Sequence, residues 1–173
     1  MNASRVQATV IGDSDAEPEA LTAAEAVGAI LARLGVTVVT GGRGGIMEAA
    51  SKGAAEAGGL TVGVLPFEDS SKANSWCKVV IPTGLGHARN YVNILCGDFI
   101  IVIGGGAGTL SEMCFAWIQN KPIFALKAFG GYAQEFAGKQ LDSLRPDVVI
   151  SCENLRELEK KIGDWLHLDN ILN

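Results

Sequence analysis

The chain has 173 residues, which fits a single ligand-binding domain over residues 1–173 and leaves no room for a separate catalytic module. Hydrophobic residues make up 48% of the sequence and charged residues only 19%, against about 25% in an average protein, so the composition excludes an intrinsically disordered chain. The formal net charge of −5 argues against a nucleic-acid partner, because the broad positive field that draws proteins to polynucleotides is absent.

The predicted elements alternate in type along the chain. Short apolar segments rich in β-branched residues predict strands at 6–11, 36–39, 60–65, 79–81, 99–103, 122–126 and 148–150. Longer stretches of helical periodicity predict helices at about 18–34, 44–58, 86–96, 108–119, 131–140 and 153–167. This order predicts an α/β fold with one doubly wound, mainly parallel, Rossmann-like sheet of about six to seven strands flanked by helices.

The low charge also bears on partners and compartment. Few charged residues leave apolar surface to be covered, and we expect further copies of the chain to cover it in a homo-oligomer, either a dimer or a tetramer. No apolar stretch approaches the roughly 20 residues of a membrane helix, so we expect no membrane partner. The four cysteines form no CxxC pair and predict free thiols. We therefore expect a cytoplasmic protein.

Glycines are concentrated at two places where predicted strands end. Residues 40–48 (TGGRGGIME) follow the second strand, and residues 104–112 (GGGAGTLSE) follow the fifth. Glycine lets backbone N–H groups approach a ligand closely, and the helix that begins there adds unpaired donors and positive partial charge. The two loops together predict a site for a phosphorylated small molecule. The alternative is that each loop is only a tight turn that brings a helix close to the sheet.

Familiar nucleotide and metal motifs are missing from the sequence. The first predicted strand is followed by Gly12-Asp13-Ser14, which lacks the GxGxxG of a dinucleotide site, so we expect no NAD. Neither glycine loop continues as GxxxxGK[ST], which excludes a P-loop enzyme. No metal site is predicted, because the sequence has neither HExxH nor a Cys/His cluster. No lysine has a setting that indicates a Schiff base with pyridoxal phosphate.

A third loop, after the fourth predicted strand, contains Gly84, His87, Arg89 and Asn90 at the start of a helix. Arginine in the first turn of a helix is unfavourable with the helix dipole, and a bound anion would supply the missing counter-charge. His87 either binds the ligand or helps to cap the turn. Arg43, in the first glycine loop, reaches either a phosphate or solvent.

Two further features leave alternatives open. Residues 109–112 (TLSE) have the form of a capping box, in which Glu112 would bind the backbone N–H of Thr109. In the other interpretation Glu112 faces the ligand, where it binds hydroxyl groups or stabilises positive charge during cleavage of a glycosidic bond. The polar segment 67–75 (FEDSSKANS) is either a lid over the site or an ordinary solvated loop.

Over about residues 5–165 the chain resembles the superfamily of the LONELY GUY cytokinin-activating phosphoribohydrolases, the proteins labelled lysine decarboxylases and the molybdenum-cofactor carrier proteins. Its PGGxGTxxE motif is matched at 104–112, with Gly104 in place of proline. The HERK-like segment of the hydrolases is here HARN, residues 87–90, with Asn90 in place of lysine. GGGxGTLSE, the GxGxxRN segment at 84–90 and TGGxGGxMEAxxxGA at 40–54 are most similar to the carrier branch.

The resemblance to the carrier branch implies a protein that binds and protects molybdenum cofactor, or a related phosphorylated heterocycle, without turnover. The alternative is hydrolysis of the N-glycosidic bond of a nucleoside 5′-monophosphate, with Arg89 and Glu112 as catalytic residues. The expected ligand-binding residues are Gly12, Asp13, Ser14, Gly41, Gly42, Arg43, Gly44, Gly45, Gly84, His87, Arg89, Asn90, Gly104, Gly105, Gly106, Ala107, Gly108, Thr109 and Glu112.

Overall fold

One parallel sheet of seven strands runs through the computed structural model, which describes residues 6–172. Residues 1–5 and 173 of the expected domain lie outside the described residues. The strands are β1 (Gln7–Gly12), β2 (Thr37–Thr40), β3 (Thr61–Leu65), β4 (Val79–Pro82), β5 (Phe99–Ile103), β6 (Ile123–Leu126) and β7 (Ile150–Cys152). Their order across the sheet is β4-β3-β2-β1-β5-β6-β7, so the direction of the winding reverses between β1 and β5.

Six α-helices of the described part cover the two faces of this sheet. They are α1 (Pro18–Arg33), α2 (Ile46–Glu56), α3 (Arg89–Cys96), α4 (Ala107–Ile118), α5 (Gly131–Phe136) and α6 (Leu155–Leu172), with short 3-10 turns at Ser70–Lys72, Gly86–Ala88 and Lys127–Phe129. The predicted doubly wound, Rossmann-like α/β fold is confirmed.

Strand β5 lies inside the sheet, and all five of its residues are apolar and buried. Its residues alternate between two cores: Phe99 and Ile101 pack with α1, α2 and α6, whereas Ile100 and Val102 pack with α3, α4 and α5. Both faces of the strand are covered by helices, so neither alternate set of side chains reaches water. The two cores fix the helices against the sheet and thereby fix the loops at the strand ends.

Most predicted elements differ from the structure by a few residues at their ends, and α6 continues to Leu172 instead of ending at 167. Two of the differences have a clear structural cause. The last strand begins at Ile150 rather than at 148, because the backbone of Val149 pairs with Gly138 and Lys139 instead of with β6. Helix α5 ends at Phe136 instead of reaching 140, because Gly138 takes a φ of 77° and turns the chain into this pairing. Both differences come from the pairing of residues 138–139 with Val149, which the periodicity of neither predicted element indicates.

Helices α1 and α2 approach each other through glycines. A Cβ atom on Gly53 of α2 would lie 1.8 Å from the backbone oxygen of Glu25, and one on Gly28 of α1 would lie 2.0 Å from the backbone oxygen of Ala50. Neither position has room for a methyl group. Because α2 follows the first glycine loop, this close packing also sets where that loop lies.

We predict that Gly53→Ala lowers the free energy of unfolding by about 1 to 3 kcal/mol, because the added methyl group pushes α2 away from α1. Gly163→Ala is the matched control. Gly163 lies in α6, and a Cβ atom there would have no atom within 4 Å apart from its chain neighbours and the adjacent helix backbone, so alanine should raise the free energy of unfolding by roughly 0.5 to 1 kcal/mol. Urea unfolding of the three proteins measures both effects. Equal stabilities of wild type and Gly53→Ala would contradict this packing.

Candidate functional site

A cleft of about 310 Å³ opens at the carboxyl ends of β1, β2 and β5. It lies where the strand order reverses, which is the usual place of ligand sites in doubly wound sheets. Most of the predicted residues line it, namely Gly12, Asp13, Ser14, Gly41, Arg43, His87, Arg89, Asn90, Gly106, Ala107, Gly108, Thr109 and Glu112. The three loops that the sequence singled out therefore converge on one site.

The remaining predicted glycines shape the loops and do not line the cleft. They are Gly42, Gly44, Gly45, Gly84, Gly104 and Gly105. Gly45 illustrates the reason: its φ is 65°, and a Cβ atom there would lie 2.4 Å from the backbone oxygen of Asp13. Gly84 lies instead beside Glu68, on a neighbouring part of the surface.

Asp13, at the end of β1, joins the two glycine loops. Its backbone oxygen accepts a hydrogen bond from Ile46 N at 3.0 Å, and its carboxylate accepts one from Gly105 N at 2.8 Å. The Gly105 amide is thus directed at Asp13 and is not free for an anion. In the first glycine loop, the amides of Gly42 and Ile46 also have partners within the protein, namely Thr40 Oγ1 and Asp13 O, so this loop offers fewer backbone donors than the sequence suggested.

The start of α4 supplies backbone N–H donors that have no partner within the helix. Gly106 is the N-cap residue and no side chain caps it, while the first bond within the helix runs from Leu110 N to Gly106 O. The first amides of an α-helix have no partner inside it. Those of Ala107, Gly108 and Thr109 belong to residues that line the cleft, and the positive end of the helix dipole lies there.

Glu112 is not part of a capping box. Helix α4 already begins at Ala107, so Thr109 is its third residue and the glutamate lies in the second turn. Its Oε1 atom accepts a hydrogen bond from Asn93 Nδ2 at 2.9 Å and lies 3.4 Å from Nη1 of Arg89. The interpretation in which Glu112 faces the cleft therefore agrees with the structure.

Arg89 and Glu112 form a buried ion pair at the floor of the cleft. Only 7% of Arg89 and 6% of Glu112 is exposed. Burial raises the pKa of Glu112 to about 7, although Asn93 and Arg89 act in the opposite direction. Burial also lowers the pKa of Arg89. The carboxylate of Glu112 acts against this effect and the charge of Arg43 adds to it. A guanidinium nevertheless keeps its charge at neutral pH. Near pH 7 the pair therefore carries a net positive charge for part of the time.

Two buried polar atoms beside this pair lack a hydrogen-bond partner among the described residues. They are Nε of Arg89 and Oδ1 of Asn93, and both residues line the cleft. Buried polar atoms are nearly always paired in proteins, so an unpaired donor and acceptor at one cleft indicate a missing ligand or water. The opposite wall fits the guanidinium closely, since a Cβ atom on Gly41 would lie 2.4 Å from Nη2 of Arg89.

Asn90, which the resemblance to the hydrolases aligns with a lysine, links α3 to α4. Its Nδ2 atom donates to Ser111 Oγ at 3.0 Å, and its Oδ1 atom accepts from Arg89 Nη1 at 2.8 Å. Asn90 thereby helps to hold the guanidinium in place. His87 and Arg43 are exposed at the rim of the cleft, so both can reach a ligand as well as solvent.

Four lining residues were not among those predicted, namely Val10, Ile11, Met47 and Asn93. Asn93 follows Arg89 by four positions, so the two share a helix face, and this spacing was a usable signal. Val10 and Ile11 are apolar strand residues whose sequence resembles any buried strand. Met47 is buried as a core residue would be, and it also contacts the cleft.

The structure also bears on three further expectations, which concern membrane helices, metal sites and cysteines. Within residues 6–172 no helix is long and apolar enough to cross a membrane. The same part of the chain contains no cluster of three or more His, Cys, Asp or Glu residues that could hold a metal ion. All four cysteines are free thiols.

Comparisons with known proteins agree with this geometry. The model of the SLOG cluster4 family matches residues 5–158. The structure of the molybdenum cofactor binding protein from the phototrophic bacterium Rippkaea orientalis has a TM-score of 0.83 and 34% sequence identity, and the match covers 94% of this chain and 98% of that one. The molybdenum cofactor carrier protein from Chlamydomonas reinhardtii has a TM-score of 0.78 and 28% identity, with 94% and 99% covered.

A hydrolase of the same superfamily matches a smaller share of the chain. The cytokinin riboside 5′-monophosphate phosphoribohydrolase LOG5 of Arabidopsis thaliana is 30% identical over 140 residues, which cover 72% of this chain and 61% of that protein. Carrier proteins match nearly the whole chain, whereas the hydrolase matches less of it. The predicted resemblance to the carrier branch is confirmed.

We predict that the Glu112 titration makes the stability depend on pH. Folded Glu112 keeps its proton up to about pH 7, whereas the unfolded carboxyl group loses it near 4.5, so rising pH favours unfolding across this window. The free energy of unfolding should fall by about 2 to 3 kcal/mol more in wild type than in Glu112→Gln between about pH 5 and about pH 8. Urea unfolding at several pH values measures the difference. Parallel curves for the two proteins would show that the carboxyl group titrates normally.

Proposed function

The chain belongs to the SLOG cluster4 family, and we propose that it is a cytoplasmic carrier that binds molybdenum cofactor, a phosphorylated pyranopterin, or a related phosphorylated heterocycle. Two structural relatives, from Rippkaea orientalis and Chlamydomonas reinhardtii, are described as a molybdenum cofactor binding protein and a molybdenum cofactor carrier protein. The four free thiols agree with a reducing compartment.

The observation that carries the proposal is the guanidinium of Arg89, buried beside the uncapped start of α4. Its ion pair with Glu112 spans 3.4 Å and leaves Nε without a hydrogen bond. A phosphate in the cleft would satisfy Arg89 on one side and the amides of Ala107, Gly108 and Thr109 on the other. Such charge-assisted bonds to an anion are stronger than bonds between neutral groups.

The size of the cleft also fits a ligand larger than phosphate. Its volume of about 310 Å³ lies at the lower end of the range for small-molecule sites, about 300 to 1,000 Å³. A phosphate bound at the start of α4 would leave the space between Asp13, His87 and Arg43 for the remainder of the molecule. The polar lining there offers both hydrogen-bond donors and acceptors, as a heterocycle requires.

The second candidate is a nucleoside 5′-monophosphate phosphoribohydrolase, and Glu112 is the observation in its favour. A carboxyl group with a pKa of about 7 can exchange a proton near neutral pH, which suits a general acid or base. The hydrolases, however, have lysine where this chain has Asn90, and here Asn90 is engaged with Arg89 and Ser111. The carrier function is therefore better supported.

We also propose that the protein is a homo-oligomer, a dimer or a tetramer, that associates through the outer face of α3 and α4. The only charged residues of these helices, Arg89 and Glu112, are buried. Tyr91, Leu95 and Ile118 are exposed there. A chain with net charge −5 repels its own copies, and an uncharged apolar face is where two copies meet at the least electrostatic cost.

We predict that purified wild-type protein binds molybdenum cofactor under anaerobic conditions and that Arg89→Gln weakens this binding about 10- to 100-fold, because a charged donor is lost. Arg33→Gln is the matched control: this arginine is exposed and pairs with Glu159 at 3.7 Å, so its loss should not change the affinity. Equilibrium dialysis measures the affinity, and circular dichroism confirms that each variant is folded.

Two results would contradict the carrier function. The first is a folded wild-type protein that retains no cofactor, and the second is an Arg89→Gln variant that binds as wild type does. Incubation with a panel of nucleoside 5′-monophosphates distinguishes the second candidate. Release of free base by wild type, and its loss in Glu112→Gln, would instead support the hydrolase.

For the oligomer we predict that Ile118→Glu converts a wild-type dimer to a monomer, or a wild-type tetramer to a dimer, because the new carboxylates would face each other across a symmetric interface. Leu144→Glu is the matched control, since Leu144 is 90% exposed on a loop outside α3 and α4. Size-exclusion chromatography with light scattering gives the mass of each protein. A monomeric wild type, or an unchanged mass in Ile118→Glu, would exclude this interface.

A further inference from the structure

The cleft continues past Arg89 into a smaller space, here called the side compartment. It has a volume of about 130 Å³ and is lined by Arg43, Pro66, Phe67, Gly86 and His87, together with Arg89 and Asn90. Arg43, His87, Arg89 and Asn90 line both spaces. The site is therefore elongated, with the start of α4 at one end and Phe67 at the other.

Phe67 is the aromatic residue of the side compartment. It is 42% exposed, so part of its side chain is accessible to a ligand. The guanidinium carbon of Arg43 lies 5.9 Å from the centre of the ring. This distance is at the outer limit of a cation–π contact, so Arg43 covers one face of the ring only loosely, while Phe67 itself lines the side compartment.

The backbone that carries Phe67 is held on both sides. Gly84 N donates to Phe67 O at 3.1 Å, and Gly86 N donates to Pro66 O at 2.9 Å, which joins it to the third loop. At the other end of the segment, Asn74 N donates to Gly42 O at 2.9 Å, and Asn74 Nδ2 donates to Arg43 O at 3.0 Å. Segment 67–75 is thus tied to the third loop at one end and to the first glycine loop at the other, and Phe67 is its residue that lines the side compartment.

We propose that the side compartment binds the planar ring of the ligand, which stacks on Phe67 while the phosphate lies at the start of α4. This inference rests on the proposed function and specifies which part of the ligand lies where. An electron-poor fused heterocycle, such as a pterin, is the class that fits, because the electron-rich face of Phe67 attracts it as it attracts Arg43. His87, at the rim, can hydrogen-bond the polar edge of such a ring.

The test compares a ligand that has the ring with one that lacks it. The probes are 6-hydroxymethylpterin phosphate and ribose 5-phosphate, titrated calorimetrically into wild type and Phe67→Leu. Leucine keeps the apolar surface and removes the stacking face. We expect Phe67→Leu to weaken binding of the pterin phosphate about 3- to 10-fold and to leave ribose 5-phosphate unchanged. Phe67→Trp should retain the wild-type affinity for the pterin phosphate.

Leu85→Ala is the matched control, because Leu85 is an exposed apolar residue of the third loop that lines neither space. Its affinity for both probes should equal that of wild type. Equal affinities of wild type for the two probes, or equal weakening of both by Phe67→Leu, would overturn the ring site and leave the phosphate site standing. Failure of a wild-type protein that still binds molybdenum cofactor to bind either probe would overturn the ring site and the phosphate site, but not the carrier function.

Discussion

The buried ion pair of Arg89 and Glu112 is the interaction on which the site depends. Two charges removed from water lose more than their attraction returns unless further hydrogen bonds join them. Asn90 and Asn93 supply these bonds, and together the four side chains connect α3 to α4. The arrangement leaves no space for a side chain at Gly41, so the first glycine loop is shaped by the pair as well.

Asp13 accepts hydrogen bonds from both glycine loops, and this leaves the two loops with different roles. By accepting the Gly105 amide and the Ile46 amide, it uses donors from both loops to fix the end of β1. What remains for a ligand is the start of α4, where the amides after Gly106 are unpaired within the helix. The glycines before it serve to place this helix end opposite Arg89. In the proposed account the anion therefore lies between the amides at the start of α4 and the guanidinium of Arg89, rather than between two similar loops.

Much of the fold could be predicted from the sequence, because the apolar strands and periodic helices are local patterns. The convergence of the three loops also followed, since the carboxyl ends of parallel strands share one edge of the sheet. The start of β7 was missed because Val149 pairs with residues about ten positions away. The role of Glu112 stayed open because TLSE satisfies the capping pattern, and only the contact with Asn93 distinguishes the two interpretations. No local pattern reveals the bond between Gly105 and Asp13, which are 92 residues apart.

The most direct measurement is an NMR titration of the amide signals of the ¹⁵N-labelled protein with a phosphorylated ligand such as ribose 5-phosphate. An anion at the start of α4 should shift the signals of Ala107, Gly108 and Thr109 most, and that of Gly105 less, because Asp13 already accepts its bond. Unchanged signals from residues 107–109 at saturating ligand, or changes centred elsewhere on the chain, would contradict the account.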